Sequence, residues 1–165
     1  MARKPSKVFS YMDKRSHNKV PLPEVGVKFE EQSELVLLAQ TVLGEAEGEC
    51  WLGKLAVASV IMNRVRDPRW GDTVQDVALQ KWQFSCFNAG SPRIAPMMRP
   101  RKHVRPEVWE DCVKAAAAAF FGLCEDVSEG ADHYLVTSWQ DRTAWARDRT
   151  PVAEIGDHSF FKITW

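Results

Sequence analysis

A short acidic cluster is the part of this sequence best suited to chemistry. Glu45, Glu47 and Glu49 fall within the six residues Gly-Glu-Ala-Glu-Gly-Glu, between an amphipathic segment and a wholly apolar one. Glutamates at helix ends usually serve to solvate the surface, but here the chain passes from one core helix to the next, so at least one carboxyl group must lie against apolar side chains. Desolvation and a like-charged neighbour both raise the pKa of a carboxyl group, as a general acid near neutral pH requires. The cluster therefore predicts proton donation by Glu45 or Glu49.

Histidines suggest a second chemistry. His133 and His158 could join Glu45 or Glu49 as ligands in a metallohydrolase. The sequence has no His-Glu-x-x-His motif and no other tight ligand spacing, and a lone histidine is more often structural. Four cysteines occur without a Cys-x-x-Cys pair, and we expect them to be free, mostly buried thiols.

Helical periodicity places the acidic cluster between two helices. Ser33 is expected to cap a first helix of about ten to thirteen residues. A second helix runs from about Gly53 to Arg66, and its stretch 55–62 is apolar on every face, as in a helix buried in the middle of a domain. The acidic cluster is thus positioned by two core helices.

The remainder of the chain predicts further helices and a small sheet. A short helix is expected to end at Leu79, and a longer one covers 106–121, with a run of alanines that suggests close helix packing. Residues 88–105 are rich in proline and arginine and are interpreted as a long basic loop. Two β-like segments, 134–137 and 159–163, could pair. The predicted fold class is α+β, mainly α, with a small β-sheet near the C-terminal part.

The composition indicates one globular domain preceded by an arm. The chain has 165 residues, 45% of them hydrophobic, and its 22 basic and 22 acidic residues cancel. A net charge of zero argues against general nucleic-acid binding. No apolar run approaches the ~20 residues that span a bilayer, and no secretory signal is evident. We expect residues 1–30 to form a basic, partly flexible N-terminal arm and residues 31–165 to form a single, monomeric domain.

Five segments in the same order resemble the spore-cortex-lytic (SleB-like) family of cell wall hydrolases. They cover roughly residues 35–162. The first is Leu38 to Glu49 with its continuation from Gly53 to Val65. The others are Gln-Phe-Ser-Cys at 83–86, Gly-Ala-Asp-His-Tyr at 130–134, Trp-Ala at 145–146, and Ile-Gly-Asp-His-Ser-Phe-Phe at 155–161. The chain departs from the family at Cys50, where a proline is usual, and in the 88–105 segment.

The resemblance implies a lysozyme-like domain that cleaves the β-1,4 bond between N-acetylmuramic acid and N-acetylglucosamine in peptidoglycan. The family's catalytic acid is the first glutamate of its Gly-Glu motif, which is Glu45 in this chain. No cofactor and no metal are expected. A tyrosine beside the acid orients substrate in lysozyme-like transglycosylases, which points to Tyr134, and Trp82 is a candidate stacking platform for sugars. The expected substrate-binding residues are Glu49, Trp51, Gln83, Ser85, His133 and Tyr134.

The reaction itself has alternatives. A lytic transglycosylase needs one glutamate, whereas a muramidase-type hydrolase usually adds a second carboxylate. No obvious second acid lies in the matching motifs, which favours transglycosylation. A metal-dependent peptidoglycan peptidase and a glycan-binding module without turnover are further alternatives.

The resemblance implies that the place of action is the bacterial cell wall. Without a recognisable export signal, the chain is expected to be made in the cytoplasm, which suits a phage endolysin that acts in the host periplasm. A bacterial enzyme exported by another route is the alternative.

Overall fold

The computed structural model describes residues 20–163. Most of the predicted basic arm therefore lies outside the described residues, and the boundary at residue 30 stays a prediction. The described part of that segment lies on the domain, since the Trp109 indole N–H donates to the Pro21 carbonyl at 2.9 Å and Gln32 bonds the backbone of Glu24 and Val27.

Six helices and three strands make up the regular structure of these residues. The helices are α1 (Glu34–Ala46), α2 (Trp51–Val65), α3 (Val74–Ala78), α4 (Ile94–Met98), α5 (Pro100–His103) and α6 (Pro106–Phe121), and the strands are β1 (His133–Val136), β2 (Ala153–Ile155) and β3 (His158–Phe161). Short 3-10 turns cover Phe29–Glu31, Ser85–Phe87 and Thr137–Arg142. No helix within residues 20–163 is long and apolar enough to cross a membrane.

Helices α1, α2 and α6 form the core. Ser33 caps α1 by accepting the Val36 N–H, as predicted. Residues 53–62 of α2 are buried without interruption, which confirms the central position that an all-apolar helix requires. Helix α6 begins with a proline, ends at Gly122 in the left-handed conformation, and packs its alanines against α1 and α2. Small side chains there allow the three helices to approach closely.

The prediction of one long loop at 88–105 is wrong in part. Helices α4 and α5 lie inside it, and Met97 is fully buried, with its carbonyl accepting from the Gln40 amide at 3.0 Å. The prolines misled the prediction because Pro96 and Pro100 fall in the first turns of these short helices, where a missing N–H costs no hydrogen bond.

A small antiparallel sheet covers one side of the helices. Its strand order is β1-β3-β2, and Tyr134 on β1 faces Phe160 on β3. The pairing of the two predicted β-like segments is confirmed, and β2 is an additional strand. The mainly helical α+β fold with a sheet near the C-terminal part is likewise confirmed.

The cysteines divide into two pairs by environment. Cys86 and Cys112 are buried free thiols, and burial raises the pKa of both, that of Cys112 to about 12. Cys50 and Cys124 are free but exposed. The expectation of mostly buried thiols therefore holds for half of them.

Candidate active site

Glu45 lies in the last turn of α1, and its carboxyl group receives two hydrogen bonds. The Tyr134 hydroxyl donates to Oε2 at 3.0 Å. The Cys86 backbone N–H donates to Oε1 at 3.2 Å. The side chain is only partly buried. A carboxyl group held from both sides and still reachable from solvent can exchange a proton with a bound ligand.

The glycine before Glu45 is what allows this close approach. A Cβ atom on Gly44 would lie 2.6 Å from Cys86 Cβ and 2.7 Å from Met97 Sδ. Both distances are shorter than real carbon contacts permit, so any larger residue would push the Ser85–Phe87 turn away from α1. Gly44 therefore contributes to the position of Glu45. Because Gly44 has no side chain, the Ser85–Phe87 turn can lie against α1, where the Cys86 N–H donates to the Glu45 carboxyl group.

Tyr134 is set in the sheet by aromatic neighbours. Its ring packs edge-on against His158, with centroids 5.3 Å apart, and tilted against Phe160 at 5.8 Å. Burial, and next the negative charge of Glu45, raise the pKa of the Tyr134 hydroxyl well above its ordinary value. The phenol therefore stays protonated and remains a hydrogen-bond donor to Glu45.

Glu49 has different hydrogen-bond partners from Glu45. Its Oε2 accepts from the Asp157 backbone N–H at 3.4 Å, and its Oε1 lies 3.2 Å from His158 Nδ1, although the two atoms are not aligned for a hydrogen bond. Gly156, at φ +59°, leaves room for it, since a Cβ there would come within 1.9 Å of the carboxylate. The side chain is 11% exposed. Glu49 thus ties the α1–α2 junction to the β2–β3 turn.

Of the remaining predicted site residues, His133 is partly buried and the others are exposed. His133 is wedged between Trp70 and Trp145, with ring centroids 5.4 and 5.1 Å away, and its Nδ1 lies 2.7 Å from an Asp132 carboxylate oxygen. Burial lowers the pKa of His133. Within residues 20–163, no three side chains of His, Cys, Asp or Glu come together as a metal site would require.

The exposed group lies around the turn that precedes Cys86 and at the start of α2. Trp82 is 79% exposed and has a backbone φ of 69°, and Trp51 is 41% exposed. Ser85 is exposed at the start of its 3-10 turn. Gln83 is exposed as well, and its Oε1 accepts from Arg64 Nη1 at 2.9 Å.

Sequence reasoning missed two contributors to this site. The Cys86 backbone N–H leaves no side-chain signal, so only coordinates can reveal it. Arg64 did leave a signal, because a cation near the end of a mostly apolar helix that is buried requires polar partners somewhere in the fold.

Comparison with known proteins identifies the family of this chain. A family model described as Cell Wall Hydrolase matches residues 48–161. The chain belongs to this family. The matched span begins three residues after Glu45, so the family match does not itself include the candidate acid.

Relatives of this cell wall hydrolase include a spore cortex-lytic enzyme of Halalkalibacterium halodurans, 30% identical over 128 residues that make up 78% of this chain and 34% of that protein. The chain spans less than half the length of the curated relatives it matches. The catalytic domain of the Bacillus cereus SleB protein superposes with a TM-score of 0.59 at 28% identity, covering 86% of this chain and 95% of that domain. The catalytic domain of a germination-specific lytic transglycosylase, SleB of Bacillus anthracis, gives 0.58 at 27% identity, covering 83% and 98%.

Proposed function

We propose that this chain degrades peptidoglycan by cleaving the β-1,4 bond between N-acetylmuramic acid and N-acetylglucosamine, with Glu45 as the single general acid and base. The observation that carries the proposal is the partly buried Glu45 side chain, whose carboxyl group lies between the Tyr134 hydroxyl and the Cys86 N–H. Membership of the cell wall hydrolase family and the fold shared with SleB catalytic domains support the choice of substrate.

The reaction uses the same carboxyl group twice. Protonated Glu45 gives its proton to the bridging oxygen as the bond from that oxygen to C1 of the muramic acid breaks. The muramic acid 6-hydroxyl then bonds to the cationic C1 and returns its proton to the Glu45 carboxylate. The product carries a 1,6-anhydro ring, no water is consumed, and the enzyme ends in its starting protonation state. The two donors hold the carboxyl group in place through both steps.

The surroundings of Glu45 support this one-glutamate scheme over hydrolysis. A hydrolase uses a second carboxylate on the substrate's other side, as nucleophile or as base for water. The neighbouring glutamates have partners elsewhere: Glu47 pairs with Arg93, and Glu49 binds the β2–β3 turn. Neither is available as a second catalytic carboxylate while those contacts hold.

Product analysis tests the proposal. Purified cell walls digested with the protein should release muropeptides with 1,6-anhydromuramic acid ends, identified by mass spectrometry, and EDTA should leave the yield unchanged. Reducing muramic acid ends would mean a muramidase-type hydrolase. New peptide termini that disappear with EDTA would overturn the proposal in favour of a metal-dependent peptidase. A soluble fraction indistinguishable from a no-enzyme digest would leave a glycan-binding module.

The site of action follows from the substrate. We propose that the protein works on the bacterial cell wall. The matched relatives named above are spore enzymes of bacteria, and the interpretation as a phage endolysin gains no support from them.

Trp82 is proposed as a sugar-stacking platform because its exposure and its backbone conformation have no structural explanation. A bulky residue at positive φ is strained, by about 1–2 kcal/mol, and such strain concentrates at functional sites. We expect Trp82→Ala and Trp82→Gly each to reduce the affinity for cell walls about five- to ten-fold, the worth of one aromatic contact. Wall sedimentation measures this effect. Trp82→Gly should also be the more stable variant in urea unfolding, because glycine tolerates the conformation.

The matched control for Trp82 is Phe121→Ala. Phe121 is 45% exposed at the end of α6, where it packs on the neighbouring Phe120. Its removal should leave wall affinity unchanged. Equal affinity for wild type and both Trp82 variants would exclude Trp82 from substrate binding.

A further inference from the structure

Arg64 is a buried cation that the proposed reaction does not use. It lies in the last turn of α2, is 5% exposed, and stacks its guanidinium 4.0 Å above the centre of the Trp70 ring. Burial lowers the pKa of Arg64 to about 10, so it is still charged at neutral pH. Burying a charge is costly unless hydrogen bonds compensate for the lost water.

The hydrogen bonds of Arg64 go to neutral oxygens. Nε donates to the Asp132 backbone carbonyl at 2.6 Å, and Nη1 donates to Gln83 Oε1 at 2.9 Å. No carboxylate within residues 20–163 lies within ion-pair distance of the guanidinium. The exposed Gln83 is therefore one of the few groups that compensate for the burial of the Arg64 charge. Its hydrogen bond to Arg64 fixes the position of the Gln83 side chain.

The contact also decides which way the Gln83 amide faces. Arginine has only donors, so the amide oxygen must face Arg64 and the amide nitrogen must face away from it. That nitrogen has no hydrogen-bond partner among the described residues. Gln83 thus presents an N–H₂ donor on its exposed side.

This donor adjoins one of the two segments that hold Glu45. Gln83 precedes by three residues the Cys86 N–H that holds Glu45. On the other side, Arg64 donates to the backbone carbonyl of Asp132, which precedes Tyr134 by two residues. The Arg64–Gln83 pair therefore bridges the two segments that supply the hydrogen-bond donors to Glu45.

We infer that Arg64 is a positioning residue that fixes the Gln83 amide as a donor to the acetamido carbonyl of a bound sugar, so that the pair selects N-acetylated glycan over de-N-acetylated glycan. This rests on the proposed function. An acetamido group offers a carbonyl acceptor to the amide nitrogen. A de-N-acetylated sugar offers an ammonium group, which only donates and so leaves the Gln83 N–H₂ unpaired next to a positive charge.

The experiment compares binding to two forms of one material. Insoluble peptidoglycan is partly de-N-acetylated, a portion is re-acetylated with acetic anhydride, and the protein is sedimented with each. Wild type should bind the N-acetylated and re-acetylated forms about ten-fold more tightly than the de-N-acetylated form, the worth of one hydrogen bond to a well-placed donor. Sedimentation does not require turnover, so failure of the proposed reaction in product analysis would not obscure this result.

Two variants assign the selectivity to the pair. Gln83→Glu keeps an oxygen for Arg64 and the shape of the side chain, but replaces the outward-facing N–H₂ donor with an oxygen acceptor. The preference for the N-acetylated form should then vanish or reverse, because a carboxylate accepts a hydrogen bond from an ammonium group. Arg64→Lys keeps the charge but loses the planar fork, so Gln83 should be released and the preference should fall several-fold. In a Gln83→Glu background, Arg64→Lys should have little further effect on the preference.

The ratio of the two affinities separates positioning from mere folding. A variant that only loses folded protein loses binding to both forms equally and leaves the ratio unchanged. An unchanged ratio in well-folded Gln83→Glu, or equal affinity of wild type for both forms, would overturn the inference.

Discussion

Glu45→Gln should reduce the degradation of purified cell walls by about 10³-fold or more, since general acid–base catalysis alone contributes about 10²–10⁴. The fold should be unaffected. The glutamine oxygen can accept the Cys86 N–H in place of Oε1, and its amide can donate to the Tyr134 oxygen in place of accepting from it. Both contacts of the carboxyl group therefore have a substitute, and only the transferable proton is lost. Turbidity clearing measures activity, and thermal unfolding checks the fold.

The matched control for Glu45 is Glu47→Gln. Glu47 lies two residues further along the same acidic cluster and pairs with Arg93 at the surface. Exposed ion pairs contribute about 0–1 kcal/mol, so this variant should clear walls at close to the wild-type rate. Clearing by Glu45→Gln at the rate of Glu47→Gln would remove Glu45 from the catalytic role.

Apart from the family resemblance, residue types and spacing could not distinguish the roles of the two glutamates. Glu45 and Glu49 are four residues apart, and at least one of them was expected to lie against apolar side chains. What separates them is the end of α1 between them and the β2–β3 turn, which arrives from more than a hundred residues later to meet Glu49. A contact of that sequence separation has no local pattern.

Helix bounds were predictable where one physical cause dominates. The ends of α6 follow from a proline at the first turn and Gly122 at the C-cap, and the burial of α2 follows from its apolar faces. The 88–105 segment was misjudged because its prolines were interpreted as breakers. They are equally suited to starting the short helices that the buried Met97 holds against the core.

The contacts of the candidate site were least predictable where a backbone group or an uncharged side chain supplies the hydrogen bond. The Cys86 N–H reaches Glu45 only because Gly44 has no side chain, which links a glycine in one segment to a turn in another. The orientation of the Gln83 amide likewise depends on Arg64, which belongs to a helix that looks purely structural in the sequence. Both pairs meet only in the folded chain.

Tyr134→Phe should lower the turnover number about 10- to 100-fold, with a smaller effect on KM. The hydroxyl donates to Glu45 Oε2, and a hydrogen bond to a charged group is worth about 1.5–3 kcal/mol. Negative charge develops on Glu45 as its proton leaves for the sugar oxygen, so the bond strengthens on the way to the transition state and its loss falls mainly on turnover. Phenylalanine keeps the packing against His158 and Phe160. Initial rates of muropeptide release at several wall concentrations separate the two parameters.

The matched control for Tyr134 is Thr137→Val, which removes a hydroxyl that follows the same strand and contacts Ser159 Oγ at 2.8 Å without touching Glu45. It should leave turnover unchanged at a similar cost in stability.

Because burial and the charge of Glu45 raise the pKa of Tyr134, the hydroxyl should keep its proton beyond the ordinary tyrosine range. Wild type and Tyr134→Phe should therefore respond alike to alkaline pH up to about 10. A Tyr134→Phe variant with unchanged turnover and a raised KM would show that the hydroxyl contacts the substrate and does not assist the acid.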